Sequence, residues 1–146
     1  MKFLSNSLSE TETLAQLIAK RLQSGDIIAF EGGMGAGKTT FTKSLVKNLG
    51  YNGEVTSPTF TLINEYPAST VNIYHFDLYR IADPDDLYSI GFYDYLDGNG
   101  ILIVEWSENI KGELPDNTII IKINRISENV REFVVEGDDR FENIGN

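Results

Sequence analysis

GGMGAGKTTF, residues 32–41, follows the apolar run IIAF at 27–30 and leads into FTKSLVKNLG at 41–50. The run 27–31 reads as a buried strand. Phe41, Leu45 and Leu49 recur every four residues, so 38–49 reads as a helix with one apolar face, ended by Gly50. Glycines between a strand and a helix allow positive-φ backbone and leave room for it to close on a bound group. Gly32-x4-Gly37-Lys38-Thr39 fills every fixed position of the Walker A pattern. The loop N–H groups and the helix N-terminus make an anion cradle. Lys38 can reach the β- and γ-phosphates of a nucleotide, and the Thr39 hydroxyl can ligate Mg²⁺. Met34 and Ala36 need only be tolerated there.

The remaining strands decide the fold class. VNIYHFD at 71–77 reads as a strand, and ILIV at 101–104 is apolar on both faces, as in a central parallel strand. Residues 118–124 and 131–136 make two more after the turn signal LPDN at 114–117. TSPTFTL at 56–62 reads as a loop running into a strand, with Pro58 pushing Ser57 out of helical dihedrals. Among helices, Ser9 and Glu12 fit a capping box before Leu14, Leu17, Ile18 and Leu22. Asp83-Pro84 places an N-cap before a first-turn proline, giving a short helix over 84–90. The expected architecture is α/β: a single-domain P-loop NTPase with a mixed, partly parallel sheet flanked by few helices. It spans residues 1–146, with about 137–146 a frayed polar tail.

Composition narrows the class. At 146 residues, 41% hydrophobic and 23% charged, the chain is one ordinary soluble domain. No apolar run approaches the roughly 20 residues of a membrane span, and MKFLSNS lacks a signal-peptide core. A cytoplasmic location without membrane attachment is expected. With no cysteine, disulfides, thiolate metal sites and Cys nucleophiles are excluded. The net charge of −10 is uneven: residues 1–50 hold six bases and four acids, while 51–146 hold six bases and 18 acids. The glycine loop therefore sits in the mildly basic third, which suits an anion. The acidic remainder argues against direct grip on a nucleic-acid backbone, since phosphate contacts come mainly from Lys and Arg.

A P-loop enzyme needs an acid at the end of a neighbouring strand to hold its metal. Glu105, closing ILIVE, is the first candidate; Asp77, closing VNIYHFD, is the second. His75, the sole histidine, reads as packed or surface structure rather than as a catalytic base.

These words together resemble the TsaE (or YjeE) family, small bacterial P-loop ATPases serving tRNA threonylcarbamoyladenosine synthesis. GAGKTTF at 35–41 resembles its Walker A segment and SPTFTL at 57–62 a switch-like loop. HFDLYR at 75–80 is followed by IADPDDL, GF at 91–92, VEW at 104–106 and LP at 114–115. HFDLYR with VEW at this distance from the loop is far more specific than Walker A alone. The resemblance, over roughly residues 8–136, implies a Mg²⁺-dependent ATPase. It would act with a threonylcarbamoyl-transferase complex (TsaD/TsaB-like) and reset it, touching tRNA only indirectly.

The resemblance also implies roles for individual residues. The nucleotide loop maps to Met34, Gly35, Ala36, Gly37, Lys38 and Thr39, and the metal residues to Thr39 and Glu105. Asp77 falls at the family's functional aspartate, Trp106 at its functional tryptophan. Thr59 sits where a switch loop could sense the γ-phosphate, and Glu10 where the family's N-terminus approaches the nucleotide. The chain departs from the family's usual Gly-Asp-Leu-Gly with Gly32-Gly33-Met34-Gly35; because backbone amides do the binding, little depends on it. Catalysis is expected from Lys38, with Asp77 or Glu105 orienting water. Two other readings stand beside ATP hydrolysis: a small-molecule kinase, and a non-enzymatic nucleotide-dependent interaction module. Guanine-reading NKxD is absent, which leans toward ATP.

Overall fold

The computed structural model describes residues 1–33, 35–55, 63–81, 83–96 and 98–142. The described elements run β1 (Lys2–Ser5), α1 (Leu8–Ala19), β2 (Ile27–Glu31), α2 (Lys38–Asn48), β3 (Ile63–Pro67) and β4 (Asn72–Asp77). Then follow α3 (Pro84–Ser89), α4 (Phe92–Leu96), β5 (Ile101–Glu105), a 3₁₀ turn (Ser107–Glu113), β6 (Ile119–Arg125), β7 (Arg131–Glu136) and a second 3₁₀ turn (Asp139–Phe141). The strands form one sheet in the order β1-β7-β6-β2-β5-β4-β3. Its centre is parallel: β2 lies between β5 and β6, and β5 pairs with β4. Both flanks are antiparallel, through β6–β7–β1 on one side and β4–β3 on the other. The mixed, partly parallel α/β architecture expected from the sequence is the one observed.

Alternation along the strands sorts the core onto two faces. Ile28 and Phe30 of β2, with Ile101 and Ile103 of β5, pack with Leu14 and Ile18 of α1 and Phe41 and Leu45 of α2. Ile27, Leu102 and Val104 point the other way, joining Phe76, Leu78, Leu87, Phe92 and Ile110. β5 is buried at all five positions and β2 at four of five, so each reads as a continuous apolar run. Among the described residues no helix is long and apolar enough to cross a membrane.

Three local readings need correction. The α1 N-cap is Ser7, whose hydroxyl accepts from the Glu10 amide at 3.1 Å, rather than Ser9. Glu10 in turn accepts from the Asn6 amide at 2.7 Å. Ser7-x-x-Glu10 and Ser9-x-x-Glu12 both fit a capping box, and the earlier one lets the buried Thr11 hydroxyl meet that of Ser5 at 2.7 Å. The N-terminal residues, given no element from sequence, form edge strand β1 against β7. The tail expected to fray is instead docked through residue 142. Phe141 is 1% exposed, and Arg140 bridges to Asp26 at 2.8 and 3.0 Å and to Asp138 at 3.0 Å. These bonds from the Arg140 side chain and amide hold the Asp138 carboxyl below its ordinary range.

Deleting a buried phenylalanine ring costs about 3 kcal/mol or more. Phe141→Ala should therefore lower the unfolding free energy by about 3 kcal/mol in a denaturant titration. An unchanged midpoint would mean that this turn carries no part of the core.

Candidate functional site

The site lies at the carboxyl ends of β2, β5 and β4, adjacent parallel strands in the sheet. This is where open α/β sheets place ligands. From β2 the chain passes through the glycine loop into α2, whose N-cap, Gly37, has φ +108 and offers no side-chain cap. The first amides of α2 therefore face outward toward any anion in the loop. At Gly32 the constraint is space: a Cβ would stand 2.7 Å from the Ile123 carbonyl oxygen of β6. A larger residue would push the loop off the sheet.

Lys38, 6% exposed, donates from Nζ to the Gly32 carbonyl at 2.7 Å. Its Nζ also lies 3.6 Å from the centroid of the Trp106 ring. Burial pushes the Lys38 pKa down, opposed by the carboxylates of Glu108, Glu105 and Asp77. Trp106 is held in the left-handed region at φ +61, alone among the described non-glycine residues. Such a conformation costs on the order of 1–3 kcal/mol. It turns the chain from β5 into the first 3₁₀ turn and lays the indole over the lysine. Tyr79 braces the indole, with ring centroids 4.9 Å apart.

Parallel pairing sets Asp77 of β4 opposite Glu105 of β5. Glu105 is 4% exposed and hydrogen-bonds through Oε2 to Nε2 of the wholly buried His75 at 2.8 Å. Asp77 Oδ1 accepts from the Tyr79 amide at 3.0 Å. Burial raises the Asp77 pKa and the Glu105 carboxylate pushes it the same way, against the Tyr79 amide and the Lys38 ammonium, which lower it. A cleft of about 520 Å³ is lined by Gly35–Thr40, Asp77, Tyr79, Glu105, Trp106 and Arg131. A second, of about 670 Å³, adjoins it at Ala36, Gly37, Thr40 and Arg131 and extends to Asn6–Ser9, Thr11, Glu128, Asn129 and Phe133.

Of the residues singled out in the sequence, the fold brings together Gly35, Ala36, Gly37, Lys38, Thr39, Asp77, Glu105 and Trp106 around the first cleft. Glu10 lines neither cleft; its carboxylate caps α1 beside the second. Met34 and Thr59 lie outside the described residues. Arg131, given no site role from sequence, lines both clefts and donates from Nε to the Ala36 carbonyl at 3.1 Å. It also holds the β6–β7 turn through the Ser127 and Glu128 carbonyls. No local motif marks it, since 95 positions separate Arg131 from Ala36 and only sheet order joins them.

The donor set fits a phosphate chain with a hard cation. A lysine, an uncapped helix start and open space beside Gly35 suit the anion. Two carboxylates abreast and the Thr39 hydroxyl are oxygen donors of the kind Mg²⁺ takes alongside substrate phosphates.

Comparison with known proteins bears on the same residues. The family profile described as "Threonylcarbamoyl adenosine biosynthesis protein TsaE" matches residues 5–133. Two similar curated proteins are each named tRNA threonylcarbamoyladenosine biosynthesis protein TsaE. The one from Rickettsia conorii is 42% identical over 127 residues, covering 86% of this chain and 72% of that protein. The one from Treponema pallidum is 35% identical over 135 residues, covering 92% and 99%. The crystal structure of YdiB from Bacillus subtilis superposes with a TM-score of 0.77 at 34% identity, over 97% of this chain and 88% of that one. With residues 5–133 matched by the family profile and relatives 35–42% identical over most of its length, the chain belongs to the TsaE family.

Proposed function

We propose that this protein is a Mg²⁺-dependent ATPase of tRNA threonylcarbamoyladenosine biosynthesis. In this reading it works beside a threonylcarbamoyl-transferase complex of the TsaD/TsaB kind and resets it between cycles. The observation that carries the ATPase reading is the first cleft: the Lys38 ammonium on the glycine loop, with Asp77 and Glu105 abreast among its walls. Family membership supports the pathway. The net charge of −10 supports contact with tRNA through a partner rather than directly, and a cytoplasmic site of action follows from that role.

The triphosphate would lie along the loop amides, with Lys38 leaving the Gly32 carbonyl to meet the β- and γ-phosphates. The nucleoside would lie in the adjoining cleft, which Thr40 and Arg131 line. Bound Mg²⁺, held by Thr39 and Glu105, would neutralise charge on the phosphates. Glu105 already gives one oxygen to His75, which leaves Asp77 as the carboxylate to orient the attacking water. Water attacks the γ-phosphorus, the bond to the β–γ bridging oxygen breaks, and ADP and phosphate leave. Positioning and charge neutralisation carry most of the rate in such transfers. Arg131 commits Nε and one terminal nitrogen to backbone carbonyls. A partner that adds positive charge or excludes water would therefore accelerate the step.

ATP hydrolysis should be slow for the protein alone, rise on adding the transferase complex with Mg²⁺, and vanish in Lys38→Ala. Fast turnover that ignores the complex would overturn the partner-gated reading. Transfer of labelled γ-phosphate to a metabolite instead of water would point to a kinase. Asp77→Asn should lower stimulated turnover by about a hundredfold or more, with ADP affinity within a few fold of wild type.

Stability should move the other way. The folded-state pKa of Asp77 is raised, so its ionised form weighs against the fold, and the penalty appears as pH rises through that pKa. Asp77→Asn should melt above wild type at pH 8, with the gap shrinking as acidification passes the raised folded-state pKa toward the ordinary carboxylate range. A gap that grows on acidification would contradict this assignment of its environment.

A further inference from the structure

We propose that His75 is a positioning residue, a neutral hydrogen-bond donor that locks the Glu105 carboxylate so that its second oxygen faces the cleft. The inference rests on the reading of Glu105 as a metal-holding residue and extends it to a side chain outside the cleft.

The geometry carries it. β4 and β5 are parallel, with His75 opposite Ile103 and Asp77 opposite Glu105. His75 thus sits one pleat below Asp77 on the same face of the sheet, among Ile73 and Ile103 of the core. It is wholly buried, and its Nε2 lies 2.8 Å from Glu105 Oε2. Oε1 has no hydrogen-bond partner among the described residues, and Glu105 lines the first cleft. A glutamate at a strand end has three side-chain torsions to fix before it can hold a ligand in one geometry. The buried imidazole fixes them from beneath.

The other ring nitrogen decides the protonation state. Nδ1 is buried without a hydrogen-bond partner among the described residues, and the Tyr66 ring lies near the imidazole, 6.1 Å between centroids. A proton there would be a buried, unpaired donor, which is costlier than an unpaired lone pair on a neutral ring. With Nε2 facing a carboxylate, the favoured form is the neutral Nε2–H tautomer. A neutral donor orients Glu105 without cancelling its charge, whereas a cationic imidazolium would compete with a metal for that charge. Partners of this kind behind a metal-holding side chain are worth about 10- to 100-fold in metal affinity.

Two measurements decide it. His75 is the only histidine, so ¹⁵N-edited NMR of the ring reads this residue alone. The expected pattern is Nε2 protonated and Nδ1 bare; a proton on Nδ1 would overturn the inference. Second, Mn²⁺ affinity in the presence of ADP is followed by electron paramagnetic resonance for wild type, His75→Leu and His75→Gln. His75→Leu should bind Mn²⁺ at least 10-fold more weakly. His75→Gln, which keeps an N–H donor, should recover most of the loss, and metal-free ADP affinity should stay near wild type in both. If His75→Leu holds Mn²⁺ like wild type, His75 does not position Glu105, and the metal reading survives. If wild type binds no Mn²⁺ with ADP, the metal reading of Glu105 fails and this inference fails with it. Should His75→Leu not fold, the tautomer and the glutamine variant still test the contact.

Discussion

The placement of β2 between β5 and β6 is the constraint from which the site follows. A strand buried on both faces and paired on both edges has no freedom to shift, because a one-residue slip would carry Ile28 and Phe30 off the face they share with α1 and α2. The glycine loop starts where this strand ends. Parallel pairing then brings the ends of β5 and β4 level with it, so Glu105 and Asp77 arrive beside the loop without any motif linking them in the chain. The loop itself is held to the sheet, as Gly32 packs against the Ile123 carbonyl and Ala36 is tied to Arg131.

Several features of the site run against stability. Trp106 takes a backbone conformation that a bulky residue disfavours, Lys38 is buried against its own charge, and Asp77 is desolvated beside another acid. Each is offset by something rigid nearby: the Tyr79 ring, the Gly32 carbonyl and the Tyr79 amide. Concentrated strain of this kind, in a molecule whose core is otherwise regularly sorted, is the usual mark of a place kept for chemistry.

Much of this was legible in the chain, and the limits have physical causes. The strand–loop–helix unit was readable because each part has its own signal: an apolar run, fixed glycines, a four-residue repeat. Asp77 and Glu105 could be named as strand-end acids, but their adjacency depends on strand order, which periodicity does not encode. For His75 the sequence leaves packed and surface structure both open, and the fold buries the ring completely. Its contact with Glu105 requires knowing that β4 and β5 are neighbours in register. Arg131 was invisible as a site residue for the same reason. The tail misled because Asp138, Asp139 and Arg140 look solvated in sequence, whereas here they cap and clamp a turn that buries Phe141. The α1 cap was off by one competing capping box, a choice settled by the tertiary contact between Ser5 and Thr11.

The lone tryptophan has an optical consequence. The chain contains one indole, and it lies directly over the loop lysine. A cation lies 3.6 Å from the ring centroid, and the Tyr79 ring packs at its edge. Any ligand that draws the ammonium away from the indole changes the field felt by the excited state. The protein therefore carries its own reporter of loop occupancy: with excitation at wavelengths the tyrosines do not absorb, a fluorimeter can follow ligand binding at the loop without a label.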